Sequence, residues 1–284
     1  MQNETIAIHA GYNKKEGYGT MSVPISQTTA YAFRDSEHAA NLFALKELGP
    51  IYTRLNNPTT DVLEQRFAAL EGGAAAICTS SGQAASFYAI ANVAEAGDNI
   101  LISDKLYGGS VTLLTYTMKR FGITAKVFKS DDASDLESLI DDKTKAIYFE
   151  SLSNPQIAIP DVEKIATIGK KHGVLTICDN TVASAALFNP IKWGIDVVVH
   201  STSKYTNGQG TAIGGIVVER DGLAEFFKAN SNRYSHFTTP DESYHGLVYT
   251  DVPLPNFCLR IRLSLLRDIG AVPAPFNSWL LIQT

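Results

Sequence analysis

The fold is indicated first by residues 195–209, which read IDVVVHSTSKYTNGQ. Residues 195–199 are apolar and rich in β-branched side chains, which predicts a short buried strand. Two small hydroxyl residues, Ser201 and Ser203, and the lysine Lys204 follow where that strand should end. Ligands of open α/β sheets bind outside the carboxyl ends of the strands, so this loop is a candidate binding site. Serines and lysines in such loops are more often ordinary turn or solvated residues. Whether these residues form a binding site therefore depends on the other segments of the chain.

On both sides of this loop, apolar runs alternate with helical patterns. The predicted strands are residues 74–78, 99–102, 124–128, 145–149, 174–178, 195–199 and 213–218. The predicted helices are residues 36–48, 59–70, 83–96, 108–121, 161–172, 257–268 and 276–283, with a short helix opened by a capping box at 134–137. Thr59 or Thr60 is the expected cap of the second helix, and residues 226–243 look like a loop. Strands separated by helices indicate an α/β fold with a seven-stranded, mostly parallel sheet covered on both faces.

Composition excludes several classes of function. The chain has 284 residues, a net charge of −5 and no basic stripe, so nucleic acid is not an expected partner. The three cysteines form no CxxC pair, and the six histidines show no HxH or HExxH spacing, so we expect no metal. No apolar run approaches the ~20 residues of a membrane span, and the first five residues are polar. A cytoplasmic protein without membrane contact is the expectation.

Polar groups follow four of the predicted strands. Residues 81–83, Ser-Gly-Gln, form a small-residue turn that opens a helix, and N–H groups at a helix N-terminus bind anions. Asn154, Asp179 and Lys204 follow three other strands. Each has an ordinary explanation: a turn, an asparagine before proline, a helix cap and a solvated lysine. Together, an anion cradle, a carboxylate and a lysine at one sheet edge match the needs of pyridoxal phosphate (PLP), which has a phosphate, a ring nitrogen and an aldehyde.

Two further features fit the same cofactor. Tyr107 follows the second strand and could stack on the ring, although ordinary surface packing would also explain it. Tyr52 and Arg54 lie two residues apart and share a face if their segment is extended. The forked guanidinium of arginine suits phosphate, whereas a solvated arm is the simpler explanation of the pair.

Five motifs resemble the cystathionine γ-synthase-like group of PLP enzymes of cysteine and methionine metabolism. The motifs occur in the order and with the spacing of that family across nearly the whole chain: YTRLNNPT at 52–59, SSGQAA at 80–85, ESLSNP at 150–155, DNT at 179–181 and VVHSTSKY at 198–205. The resemblance implies a PLP-dependent transferase of fold type I.

The same resemblance implies a role for each matching residue. Lys204 would bind the aldehyde of PLP and move protons, Asp179 would pair with the ring nitrogen, and Tyr107 would stack on the ring and assist proton transfer. The remaining cofactor contacts would be Ser81, Gly82, Gln83, Ser201 and Ser203 at the phosphate, Asn154 near the ring hydroxyl, Thr181 in the DNT motif, and Tyr52 and Arg54 from a neighbouring subunit. The family arrangement requires at least a dimer and is usually a dimer of dimers.

Other segments look like O-acetylhomoserine sulfhydrylases within this group, namely 239–249, 266–270, 275–277 and 9–12. That resemblance implies γ-replacement on O-acetyl-L-homoserine by a sulfur nucleophile, giving homocysteine or methionine and acetate in methionine biosynthesis. A protein sulfur carrier is a conceivable partner. Methionine γ-lyase or cystathionine γ-synthase activity would use the same cofactor residues, and a non-catalytic fragment is a third reading. A nucleotide-binding oxidoreductase is disfavoured because neither GxGxxG nor GxxxxGK[ST] occurs.

We expect three segments. Residues 1–57 would be an arm that contributes to the neighbouring subunit, 58–255 the PLP-binding domain, and 256–284 the start of a C-terminal domain. The chain is about a third shorter than members of the family, so we expect that domain to be largely absent. No residue can be assigned to the arginine that would bind the substrate carboxylate. Gln209 stands where relatives often have histidine, so that loop is expected to differ in detail.

Overall fold

A computed structural model describes residues 2–15 and 19–284, and residues 1 and 16–18 of the predicted arm lie outside them. Within the described part, the strands are β1 (Ala75–Thr79), β2 (Asn99–Ser103), β3 (Thr124–Phe128), β4 (Thr144–Glu150), β5 (Leu175–Asp179), β6 (Val197–His200) and β7 (Gly215–Glu219). They form one sheet in the order β1-β7-β6-β5-β4-β2-β3. The predicted seven-stranded sheet is confirmed.

Strand direction decides where the loops meet. Only β7 runs against the others, because it pairs antiparallel with both β1 and β6, whereas the remaining pairs are parallel. The carboxyl ends of β1, β2, β4, β5 and β6 therefore lie at one edge of the sheet. The loops that carry the predicted site residues begin at that edge.

Helices connect the strands and cover the sheet. They are α1 (Asn3–His9), α2 (Ser36–Phe43), α3 (Pro58–Glu71), α4 (Gly82–Ala91), α5 (Gly108–Thr112), α6 (Leu136–Leu139), α7 (Val162–His172), α8 (Ser184–Leu187), α9 (Leu223–Ala229), α10 (Ser235–Thr238), α11 (Asn256–Ile261), α12 (Arg267–Ile269) and α13 (Pro275–Gln283). Wider π turns cover Leu113–Thr117 and Arg262–Leu266, and 3₁₀ turns cover Met118–Phe121, Pro190–Trp193, Glu242–Tyr244 and Tyr249–Asp251. None of the helices in the described residues has both the length and the hydropathy needed to cross a membrane.

Alternate residues of each strand pack into cores on opposite faces of the sheet. Ile100 and Ile102 of β2 lie in the core beneath α4 and α11, whereas Leu101 between them lies in the core beneath α7. Val198 and its neighbours form a third cluster with α3 and α13. Both faces are thus covered, as a parallel sheet requires.

Several predicted helix boundaries are wrong for local reasons. Asn57, rather than Thr59 or Thr60, caps α3, because its side chain accepts the Thr59 N–H and Pro58 occupies the first helical position. The capping box at 134–137 does not form, because α6 begins one residue later without a side-chain cap and the Glu137 carboxylate instead binds Lys171 and His172. The expected helix at 36–48 ends at Phe43, and that at 83–96 ends at Ala91.

The segment 226–243 is not a loop throughout. It contains most of α9 and all of α10, which bring Phe227 and Phe237 into a stacked pair with ring centroids 3.8 Å apart. The predicted helices 108–121 and 257–268 exist, but each changes to a π turn part of the way along.

Both ends of the described chain pack on α3. The Thr59 hydroxyl donates to the Pro24 carbonyl at 2.9 Å, so the segment before α2 lies against the start of this helix. At the other end, Thr60 Oγ1 and Ser278 Oγ are 3.0 Å apart, and Arg66 donates to the Ile282 carbonyl. The helix α3 therefore links the first and last segments to the sheet.

Candidate active site

A cavity of about 640 Å³ opens at the sheet edge where the strand ends meet. Its lining contains every predicted site residue except Tyr52 and Arg54, namely Ser81, Gly82, Gln83, Tyr107, Asn154, Asp179, Thr181, Ser201, Ser203 and Lys204. The fold thus brings together residues that are up to 123 positions apart in sequence, from Ser81 to Lys204.

The N-terminus of α4 supplies hydrogen-bond donors to one wall of this cavity. Ser81 is the cap, and its Oγ accepts the Ala84 N–H at 3.2 Å while its carbonyl accepts the Ala85 N–H. The N–H groups of Gly82 and Gln83 precede these two and have no partner within the helix. Since the Ser81 hydroxyl accepts that bond, its own proton remains available to an anion.

Glycine is required at position 82 because α4 approaches the loop after β6 closely. A Cβ placed on Gly82 would lie 2.5 Å from the Ser201 Cβ and 2.7 Å from its Cα. Real Cβ atoms essentially never approach other atoms so closely. The missing side chain therefore lets the helix N-terminus and the loop share one wall of the cavity.

The loop after β6 carries Ser201, Ser203 and Lys204. The Ser201 N–H donates to Thr181 Oγ1 at 2.8 Å, which ties this loop to the one after β5. Ser203 Oγ donates to the Gly214 carbonyl at 3.2 Å and accepts the Gly214 N–H at 3.0 Å. Its proton must therefore leave Gly214 before it can serve an anion. Lys204 lies in a turn and is exposed.

Asp179 ends β5 and receives three hydrogen bonds. Its Oδ1 accepts the Thr181 N–H at 3.0 Å and the Thr181 hydroxyl at 2.5 Å, and its Oδ2 accepts the Tyr148 hydroxyl at 3.2 Å. Burial, and then the charge of Asp179, raise the pKa of Tyr148 well above its ordinary value, so this phenol keeps its proton and remains a donor. Ser86 Oγ lies 2.9 Å from the Tyr148 hydroxyl and completes the chain.

Glu150 ends β4 and lies opposite Asp179 in the sheet register. Its Oε1 accepts the Tyr107 N–H at 2.6 Å, and its Oε2 accepts the Asn154 N–H at 3.1 Å. Burial, followed by the negative charge of Asp179, raises the pKa of Glu150 to about 7. Glu150, Tyr148 and Ser86 were not predicted as site residues. A charged residue at the end of an apolar strand was the available signal for Glu150.

Tyr107 and Asn154 lie at the more open side of the cavity. Tyr107 precedes α5 and is half exposed, and a Cβ on Gly109 would lie 2.5 Å from both Gln83 Nε2 and the Tyr107 ring. Gly109 thus permits the tyrosine ring to lie beside the α4 N-terminus. Asn154 is exposed, with only its backbone N–H tied to Glu150.

Tyr52 and Arg54 line a different cavity of about 630 Å³, together with Thr28 and Gly270. The Arg54 guanidinium carbon lies 4.9 Å from the Tyr52 ring centroid, so the two side chains do meet. Their segment is a turn and does not meet the condition of an extended backbone, because the Leu55 N–H donates to the Tyr52 carbonyl at 2.7 Å. One chain by itself does not bring this pair to Lys204.

The donor set in the first cavity fits PLP. Unpaired N–H groups at a helix start suit a phosphate, a carboxylate suits a protonated ring nitrogen, and a lysine amine suits an aldehyde. Among residues 2–15 and 19–284, no cluster of three or more His, Cys, Asp or Glu side chains could hold a metal ion. When bound, PLP supplies an electron sink for negative charge that develops on a substrate carbon.

Comparison with known families decides the assignment. The family model described as "Cys/Met metabolism PLP-dependent enzyme" matches residues 4–284. The chain belongs to this family. Its members depend on PLP, so the resemblance inferred from the five motifs is confirmed together with the fold-type-I expectation.

Individual members of the Cys/Met metabolism family match over nearly the whole chain. A sulfhydrylase from Fusarium oxysporum f. sp. lycopersici is 48% identical and the O-acetyl-L-homoserine sulfhydrylase of Leptospira meyeri is 44% identical, over 97% and 99% of this chain. A solved putative O-acetylhomoserine (thiol)-lyase from Campylobacter jejuni matches at 54% identity and a TM-score of 0.97, covering 100% of this chain and 69% of its own. That structure carries N'-pyridoxyl-lysine-5'-monophosphate. The chain spans about 64% of the length of the curated relatives.

Proposed function

We propose that this chain takes part in γ-replacement on O-acetyl-L-homoserine by a sulfur nucleophile, giving homocysteine or methionine and acetate in methionine biosynthesis. A C–O bond to acetate breaks and a C–S bond forms at the same carbon. The observation that carries the proposal is the single cavity that combines Lys204, Asp179 and the N-terminus of α4. Similarity to proteins named O-acetylhomoserine sulfhydrylase supports the substrate.

We assign each of these residues a role that its position in the cavity supports. The Lys204 amine would hold the cofactor aldehyde and, once released from it, would move protons between substrate carbons. The Asp179 carboxylate would keep a proton on the ring nitrogen, and Tyr107 would stack on the ring and assist proton transfer. The phosphate would be held by Ser81, Gly82, Gln83, Ser201 and Ser203, while Asn154 and Thr181 would lie near the ring.

We further propose that a second copy of the chain completes the site. Tyr52 and Arg54 pair in a cavity of their own, and a neighbouring subunit could present them to the PLP phosphate. A dimer, or a dimer of dimers, is the assembly this requires. In this proposal, 1–57 is the contributing arm, 58–255 the cofactor domain and 256–284 the start of a further domain.

Three buried free cysteines, Cys78, Cys178 and Cys258, suit a reducing compartment, which supports our proposal of a cytoplasmic protein. Sulfide, methanethiol or a sulfur held by a carrier protein would each serve as the nucleophile in this reaction, and the assay below uses sulfide.

The test is a product assay with the 284-residue chain, added PLP, O-acetyl-L-homoserine and sulfide. The proposal predicts homocysteine and acetate in equal amounts. A keto acid with ammonia from methionine would instead indicate a methionine γ-lyase, and cystathionine formed with cysteine would indicate cystathionine γ-synthase. PLP binding without any of these products would identify a fragment that holds the cofactor only.

A further inference from the structure

Two loops that form the open wall of the cavity meet at one carboxylate. The loop after β2 carries Tyr107, and the segment after β4 carries Asn154. Glu150 accepts the backbone N–H of each, at 2.6 Å on Oε1 and at 3.1 Å on Oε2. The Glu150 residue itself is only 5% exposed. It borders the cavity with little exposed surface, and both of its oxygens are bonded to the two loops, so its side chain joins them.

Only the ionised form of this carboxyl group can accept one N–H hydrogen bond on each of its two oxygens without a competing O–H donor. A carboxylate has two acceptor oxygens, one for each N–H group. Protonation turns one oxygen into a donor, and that O–H would then face an N–H group that also donates. The protonated acid therefore keeps one loop and loosens the other.

We propose that Glu150 is a positioning residue, whose ionised carboxylate locks the Tyr107 loop to the Asn154 segment and whose protonation releases one of them. The effect of this change on bound PLP rests on the proposed function, because that effect requires PLP to bind in this cavity. With the lock closed, the Tyr107 ring is held against the wall formed by Gly109 and Gln83. With the lock open, the ring loses a fixed position.

Charged and titratable groups around Glu150 set where this change occurs. Asp179 faces it from β5 and contributes like charge, whereas Tyr148 on β4 is buried and neutral. Lys204, on the loop after β6, is exposed and lines the same cavity, as do the side chains of Tyr107 and Tyr205. Burial and Asp179 together raise the pKa of Glu150 to about 7. The lock is thus closed above neutral pH and released below it.

Residue-resolved hydrogen–deuterium exchange of the 284-residue chain, without added cofactor, tests the lock directly. After correction for intrinsic exchange, protection of the amide that the protonated acid releases, either Tyr107 or Asn154, should rise about tenfold from pH 6 to pH 8. This is the change in ionised fraction across a pKa of about 7. Wild-type amides that show no such rise would overturn the proposal without the need for any variant.

Two variants separate the lock from general structure. Glu150→Gln places an amide donor against one N–H, so one of the two amides should lose protection and neither should respond to pH. Glu163→Gln, an exposed glutamate on α7, should match wild type in both respects. A Glu150→Gln protein that keeps the wild-type protection and pH response would contradict the lock.

A second arm adds PLP and follows its absorbance from pH 6 to pH 8. We expect the spectrum of wild type and of Glu163→Gln to change with pH as the Tyr107 ring is fixed, and that of Glu150→Gln to lack this change. If the wild-type chain does not bind PLP, the proposed function is contradicted, whereas the hydrogen-exchange test of Glu150 still stands. If the chain binds PLP but its Tyr107 and Asn154 amides show no pH-dependent change in exchange, only the proposal for Glu150 is contradicted.

Discussion

Asp179 shows how much one strand end contributes to the site. Three donors converge on its carboxylate, two from Thr181 and one from Tyr148, so its position in the cavity is fixed on both oxygens. A ring nitrogen that must stay protonated requires a negative charge at a fixed position. The local sequence DNT supplies that carboxylate together with its nearest donors.

Replacement of Asp179 by asparagine should separate binding from turnover. Asp179→Asn keeps the side-chain shape but removes the charge, so we expect PLP to bind while turnover falls about 10²-fold or more. Steady-state rates and PLP absorbance measure the two effects separately. The exposed Asp142→Asn should change neither, and an Asp179→Asn protein with wild-type turnover would exclude the proposed role.

Residues at strand ends could be predicted because the apolar runs locate those ends. Asp179 follows such a run directly and Lys204 follows another within five residues, and the cavity contains both. Glu150 could not be assigned a role in this way, since its partner Tyr107 lies 43 residues earlier and is contacted through its backbone. No side-chain pattern reports a bond to a distant N–H group.

Among the elements, α4 approaches the loop after β6 closely. Gly82→Ala would place a Cβ 2.5 Å from Ser201 and push the helix N-terminus away from that loop. Overpacking of this kind costs about 1–3 kcal/mol, so we expect PLP affinity to fall about tenfold. Gly108→Ala, where no atom lies within 4 Å of the added Cβ, should leave the affinity within about twofold. If PLP titrations give the same affinity for both variants, the close approach of α4 to the loop after β6 does not affect PLP binding.

A buried pair joins α3 to the ends of β5 and β6. Glu71 Oε1 lies 2.6 Å from His200 Nε2 and accepts the Asn180 side-chain N–H at 3.0 Å, and all three residues are buried. His200 precedes Ser201 and Asn180 follows Asp179 in the chain, so Glu71 helps to hold the loops after β6 and β5 in place.

Removal of Glu71 should therefore lower stability. Glu71→Ala leaves two buried donors without this acceptor, and we expect a loss of about 3 kcal/mol in the free energy of unfolding. Urea denaturation monitored by circular dichroism measures the loss. Glu163→Ala on the exposed face of α7 should cost no more than about 0.5 kcal/mol. A similar small cost for both would contradict the supporting role.

Element positions were easier to predict than their ends. All seven strands lie within about two residues of their predicted bounds. Short runs of mainly apolar residues between turn residues are typical of buried strands, so the pattern locates them well. The helices α9 and α10 were missed because their aromatic residues Phe226, Phe227 and Phe237 pack on one another and on Tyr234, contacts that no local pattern contains. The Tyr52–Arg54 turn likewise depends on a backbone bond.

At the scale of the whole molecule, buried acids make stability depend on pH. Glu219 at the end of β7 is fully buried, with Oε2 accepting the Cys258 N–H at 2.9 Å, and burial raises its pKa to about 8. A folded state that holds the proton more tightly than the unfolded chain loses stability as pH rises through this range. Burial lowers the pKa of His236 to about 3. This shift makes stability rise with pH, the opposite of the effect of Glu219, but only below the ordinary histidine pKa of about 6.5.

Between pH 6.5 and 8, the free energy of unfolding should therefore fall, by at most about 1.4 kcal/mol per pH unit for each such acid. Glu219→Gln should flatten this decline, whereas the exposed Glu225→Gln should preserve it. Urea titrations at four pH values between these limits measure the slopes. A slope that is unchanged in Glu219→Gln would rule out this residue as a source.

In the proposed site, one lysine after β6 holds PLP in the cavity formed by five strand ends. Borohydride reduction of the PLP-loaded chain, followed by peptide mass spectrometry, tests it most directly. We predict one reduced pyridoxyl group per chain, attached to Lys204 in the peptide that includes the HSTSKY motif. A group attached chiefly to other lysines, or no stable attachment at all, would contradict the assignment of this cavity as the cofactor site.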